Sequence, residues 1–140
     1  MKILIIGQAP PAVTQILPYD TTLLYDMLSW VGITKEQAQD LFEFEAMSRI
    51  FPGHGDNGHL KPDISVMREH YDHVLREKIQ TSKKILVLGK VAENALKEFG
   101  AFCSSEHENI TFMIHPSKRN YSTIMTNKYL ITKQLKELML

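Results

Sequence analysis

Lys2-Ile3-Leu4-Ile5-Ile6-Gly7 is an aliphatic run with no polar break, stopped by a glycine. A run this short and this apolar reads as a strand buried on both faces, with a loop opening at Gly7. The same reading applies to Lys84-Ile85-Leu86-Val87-Leu88 before Gly89, and to Ile110 through Ile114 before His115-Pro116. Phe42 to Ile50 is a further strand candidate with a mixed pattern. Between these runs the apolar spacing turns helical. Leu23, Leu24, Met27, Leu28 and Val31 form one stripe that Asp20 can cap and Gly32 can end. Thr34 can cap a short helix through Leu41. Ile64, Met67, Tyr71, Val74, Leu75 and Ile79 keep helical spacing, Val91 to Phe99 forms a helix stopped by Gly100, and Ile124, Ile131, Leu135 and Leu138 mark a final helix. Phe51 to Asp63 carries Pro52, Gly53, Gly55, Gly58 and Pro62 and reads as a loop. Strands alternating with amphipathic helices call for a parallel sheet covered on both faces, within one domain over residues 1–140.

The bulk composition limits the function classes. With 44% hydrophobic and 23% charged residues the chain has the profile of a soluble globular protein. Its formal net charge is zero, so no global excess of cations announces a polyanionic partner. The charge is uneven, however: Lys118, Arg119, Lys128, Lys133 and Lys136 have no acid between them. A single cysteine, Cys103, excludes an internal disulfide and any four-cysteine cluster. No apolar run reaches spanning length and the first strand follows Met1 directly, so we expect a cytoplasmic protein with no membrane contact.

Ligands of parallel sheets sit at the carboxyl ends of strands. Three loops leave that edge: Gly7-Gln8-Ala9-Pro10-Pro11, Gly89-Lys90, and His115-Pro116-Ser117-Lys118-Arg119-Asn120. Alone, the first reads more simply as a tight strand-to-loop turn, and the last equally well as a polar turn. His54, Asp56 and His59 lack a convincing ligand spacing, and His70 with His73 reads as solvent-facing or capping, so no metal is expected. Cys103 and Trp30 read as packing residues.

Taken in order, the loops resemble the uracil-DNA glycosylase superfamily. Gly-x-x-Pro after the first strand and His-Pro-Ser after the last are the superfamily's paired motifs. Phe51-Pro52-Gly53 through Gly58-His59-Leu60-Lys61-Pro62 is similar to the Phe-Pro-Gly stretch of its bacterial and archaeal branches. Leu86-Val87-Leu88-Gly89-Lys90-Val91-Ala92 is similar to its phosphate-contacting strand–glycine segment. The resemblance implies a three-layer α/β/α sandwich with a central, mainly parallel four-stranded sheet. It implies a cofactor-free monomer acting on single- or double-stranded DNA in base-excision repair, hydrolysing the N-glycosidic bond of uracil or a related deaminated base. His115 then stabilises the leaving base, with Gln8 as the other catalytic position. Gly7, Ala9 and Pro10 line the base, Tyr19 stacks on it, and Glu45 sits at the base-reading position. Gly89, Lys90 and Ser117 meet phosphate, and Lys118, Arg119 and Asn120 occupy the wedge loop.

Two departures stand out. The branches place a water-activating carboxylate at the position of Gln8 or Ala9, and neither residue is an acid; Asp20 and Glu45 are the candidate substitutes. No Asn lies between Glu43 and Arg49 to read uracil, and Glu45 would suit a base with an amino edge better. The alternative is a catalytically inactive homologue that binds nucleic acid, a nucleobase or a nucleotide.

Overall fold

The computed structural model describes residues 3–8, 22–49, 52, 54–55, 58–59, 61–102 and 110–140. Strand β1 (Ile3–Gly7) is buried along its whole length and leads to helices α1 (Thr22–Ser29) and α2 (Lys35–Leu41). Strand β2 (Phe42–Ala46) follows, and a two-residue hairpin, β3 (His54–Gly55) with β4 (Gly58–His59), lies inside the segment read as a loop. The next helical stretch is α3 (Ile64–His70), a π-helical turn (Tyr71–Leu75) and α4 (Arg76–Thr81). Strand β5 (Ile85–Leu88), helix α5 (Lys90–Glu98) and strand β6 (Ile110–Met113) complete the sheet. The final helix is in three parts: a 3-10 turn (Lys118–Asn120), α6 (Tyr121–Thr126) and α7 (Lys128–Met139).

The main sheet has the order β2-β1-β5-β6 and every pairing in it is parallel. Alternation then divides the core in two. Ile3, Ile5, Leu86, Leu88, Phe42 and Met113 pack on one face with Leu24, Met27 and Leu28 of α1 and with Ile124, Ile131, Leu135 and Leu138. Leu4, Ile6, Ile85 and Val87 pack on the other with Met67, Tyr71, Leu75 and Ile79 and with Ala92, Ala95 and Leu96 of α5. The result is the expected three-layer α/β/α sandwich. Its two central strands read as unbroken aliphatic runs because neither of their faces meets water.

The helix boundaries follow local chemistry. α1 and α5 both stop in paired turns: Ile33 and Ala101 donate back to Leu28 and Leu96, while Gly32 and Gly100 take positive φ. Asp20, the expected cap of α1, lies outside the described residues. Strand β2 is shorter than the run to Ile50, because the chain bends at Met47, just after the Ala46–Gly7 register pair. Among the described residues no helix is long and apolar enough to cross a membrane.

Thr34 caps α2 as the sequence suggests. Its hydroxyl accepts the Gln37 N–H at 3.1 Å, and the Gln37 side chain accepts the Thr34 N–H at 2.9 Å. Thr34→Ala removes half of this box and should lower unfolding stability by ~1 kcal/mol in urea titrations with an unchanged m-value.

Candidate functional site

Because all four strands run the same way, their carboxyl ends meet on one edge. Gly7 ends β1, Gly89 follows β5, and His115 lies two residues beyond β6. The β1–β2 pairing continues past the strands: Met47 N–H donates to the Gly7 carbonyl at 2.9 Å and Ser48 N–H to the Gln8 carbonyl at 3.2 Å. Gly7 is therefore fixed and buried, and Gln8 is half-buried at the edge. Ala9, Pro10 and Tyr19 lie outside the described residues.

Gly89 is held at φ +88° and ψ 164°, a conformation open almost only to glycine. Its N–H donates to the Met113 carbonyl at 2.8 Å, extending the sheet by one bond toward His115. A side chain there would collide with the histidine: an added Cβ would sit 2.8 Å from His115 Cβ. The missing side chain is thus what lets His115 lie directly over the β5–α5 turn. The loop is fixed from the other side as well. The His115 carbonyl accepts the Ser117 N–H at 2.9 Å and the Asn120 side-chain amide at 3.0 Å. Asn120, expected to touch DNA, braces this loop, and its own N–H donates to Ser117.

His115, Gly89, Lys90 and Asn120 line one cavity of about 560 Å3, together with Glu93, Phe112, Met113 and Ile114. Burial pushes the His115 pKa below the ordinary histidine value, so the ring is neutral at pH 7. Nδ1 is buried and has no partner among the described residues. A neutral imidazole carries one N–H, and in this position the ring can donate to an anion forming in the cavity without presenting a full charge to it.

Glu45 is not brought to that cavity. It pairs in register with Ile6 and is fully buried on the side of the sheet covered by α3 and α4. Arg49 binds both of its oxygens (Nη2 at 2.8 and 2.6 Å, Nε at 3.1 Å), and Lys78 Nζ lies 2.7 Å from Oε2. Lys78 also bonds Glu43 at 2.6 Å, and His70 Nε2 lies 3.5 Å from Oε1. Burial pushes the carboxyl upward, but His70, Arg49 and Lys78 outweigh it and bring its pKa down to about 2. The carboxylate is ionised and its acceptor positions are taken.

Of the remaining expected residues, Ser117 is half-buried, Arg119 is exposed, and Lys118 contributes backbone to the 3-10 turn. Lys90 is largely exposed at the start of α5 and lies 3.3 Å from Glu93. Sequence reasoning passed over Glu93, which also bonds Lys97 at 2.9 Å; Lys97 first among its partners holds that carboxyl below the usual range. The i,i+4 spacing of Glu93 and Lys97 was readable. Nothing local announced the partnership of Lys78 with Glu45, 33 positions apart. His70 and His73 line a separate cavity of about 250 Å3 with Ser48, Arg49, Val66 and Glu69. Cys103 and Asp56 lie outside the described residues, as do the side chains of His54 and His59.

The family model described as the uracil DNA glycosylase superfamily matches residues 1–139, nearly the whole chain. No curated protein matches the sequence.

Gly89→Ala should cost ~1–3 kcal/mol in chemical denaturation and displace the His115 ring, visible as shifted imidazole resonances in NMR. Unchanged stability and unchanged resonances would refute the contact. Glu45 has a second consequence. A folded-state pKa of about 2 against an ordinary value of 4.5 means that its stabilisation is complete above pH 4.5 and is lost as the pH falls through 2. Glu45→Gln should therefore lower the Tm at neutral pH and flatten its decline between about pH 5 and about pH 2, as thermal melts across that range would register.

Proposed function

The chain belongs to the uracil-DNA glycosylase superfamily, and from that premise we propose that it hydrolyses the N-glycosidic bond of a deaminated base flipped out of DNA. The observation that carries this reading is His115. It is neutral through burial, seated on a glycine that tolerates no side chain, and braced by Ser117 and Asn120 at the rim of a cavity. Glycosidic cleavage proceeds through an oxocarbenium-like sugar, with negative charge building on the departing base. A preorganised donor aimed at that charge is worth far more in a water-poor site than in solvent. His115 serves as that donor. The turn at Gly89-Lys90 and the Ser117 hydroxyl face the flanking phosphates, with Lys90, Lys118 and Arg119 supplying positive charge and Asn120 holding the loop. Gly7, Ala9, Pro10 and Tyr19 enclose the base. The protein acts as a monomer, in the cytoplasm, without a cofactor.

The water is handled differently from the acid-bearing branches. Gln8 can orient a water molecule but cannot take its proton, so general-base help of roughly 10²–10⁴-fold is absent at this position. Glu45 is bound by Arg49 and Lys78, which occupy the carboxylate that would otherwise meet the base.

That same pair of facts supports a second reading, in which the protein binds nucleic acid or a nucleobase without cleaving it. Excision assays with the purified protein separate the two, using oligonucleotides carrying uracil, hypoxanthine or xanthine in single- and double-stranded form. The glycosylase reading expects cleavage of at least one base and a loss of ~10²–10³-fold in His115→Ala, with an unchanged melting profile. Cleavage that survives in His115→Ala would sink the role of the histidine. Binding of every substrate with no cleavage would establish the second reading.

A further inference from the structure

The final helix carries a surface that the excision chemistry does not use. Hydrogen bonding runs through the break at Asn127, from Asn127 N–H to Thr123 and from Ile131 N–H to Asn127, so α6 and α7 share one continuous set of faces. Ile124, Ile131, Leu135 and Leu138 face the core. On the outer side Met125, Tyr129 and Lys133 follow at four-residue steps, with Tyr121 one step earlier and Lys136 beside them. Tyr129 is 82% exposed and Tyr121 54%, unusual figures for rings that bury well elsewhere in this protein. Arg119, Lys133 and Lys136 are exposed and make no ion pair among the described residues, and no acid occurs from residue 118 to 136.

We infer that this face is a binding track for single-stranded DNA leading away from the His115 loop; the inference rests on the DNA reading above. Exposed rings offer π-faces to unpaired bases of any sequence, and interleaved cations follow the phosphates. The chain is neutral overall, so the local excess of cations is the feature that selects a polyanion. The track begins where the cavity ends, since Asn120 lines the cavity and Tyr121 is the next residue. From Tyr121 to Lys133 it spans ~18 Å along the helix axis. A second copy of the chain fits less well, because a twofold contact would set these cations against themselves.

The test is fluorescence anisotropy with undamaged thymidine oligonucleotides of about 5 and about 20 nucleotides, single-stranded and duplex. Tyr129→Ala should weaken binding of the longer single strand about tenfold and leave duplex binding nearly unchanged, while Tyr129→Phe restores it. Lys133→Glu with Lys136→Glu should weaken both forms and reduce the salt dependence. Equal affinity of wild type and Tyr129→Ala for the long single strand would overturn the inference. So would sedimentation showing a wild-type dimer that Tyr129→Ala dissociates, which would assign the face to self-association. These strands carry no damaged base, so the readout is independent of excision: a protein that cleaves nothing yet binds them through Tyr129 supports the track and counts only against the glycosylase reading.

Discussion

The parallel pairing of β1 with β5 is the constraint from which the rest of the architecture follows. Parallel strands cannot be joined by tight turns, so each connection has to travel back over a face of the sheet, usually as a helix. Both faces of the central pair are covered in consequence, and Leu4, Ile5, Ile6, Leu86 and Val87 have no exposed surface. The same geometry delivers every outgoing loop to one edge. Gly7, Gly89 and His115, drawn from widely separated parts of the chain, are brought to one edge on three successive strands by strand order alone. The site is thus a product of topology, refined by one steric fit: a glycine that leaves room and a histidine that fills it.

Two ionisable groups near this edge are treated in opposite ways, and the difference lies in their partners. Burial is what lowers the His115 pKa and keeps the ring neutral, although Lys90 and Glu93 line the same cavity. Glu45 has no exposed surface, yet it remains charged because His70, Arg49 and Lys78 supply hydrogen bonds and Lys78 a positive charge. Counting Glu43, the cluster sets two carboxylates against Arg49 and Lys78, with the His70 ring beside them. A buried ion pair is weak evidence of net stability, since desolvation offsets much of the attraction. Its clearer effect is geometric: Lys78 of α4 is tied to β2, and Arg49 is fixed just beyond the end of that strand.

The fold was legible because the signals that decide it are local. Aliphatic runs closed by Gly7 and Gly89, a capping box at Thr34, and helices ended by Gly32 and Gly100 each depend on residues within a few positions of one another. The hairpin between His54 and His59 escaped notice because two-residue strands carry no periodicity to detect. The π-helical turn at Tyr71–Leu75 keeps an apolar stripe like that of an ordinary helix, so the spacing did not reveal it. At the site, the position of His115 was readable from the order of motifs, whereas the reason it fits was not. That reason is a missing atom on a different strand. Glu45 was read as the base-reading residue, but its strand position could not disclose Arg49 and Lys78 as its partners, and those partners decide what the carboxylate is able to do.

The balance of contributions at the edge has a consequence for the choice of base. In the glycosylase reading, stabilising the departing base anion and activating water are separate contributions, and only the first has an evident residue. When bond breaking runs ahead of water attack, as it does for an oxocarbenium-like sugar, the barrier is governed chiefly by how well the base leaves. Loss of a general base then costs least for bases that already depart readily as anions, and most for poor leaving groups. A site built around His115 without an acid at Gln8 would therefore select by leaving-group quality as well as by shape. That selection favours deaminated bases, whose added carbonyl spreads the departing negative charge, over their amino parents, even with no side chain assigned to read the base edge.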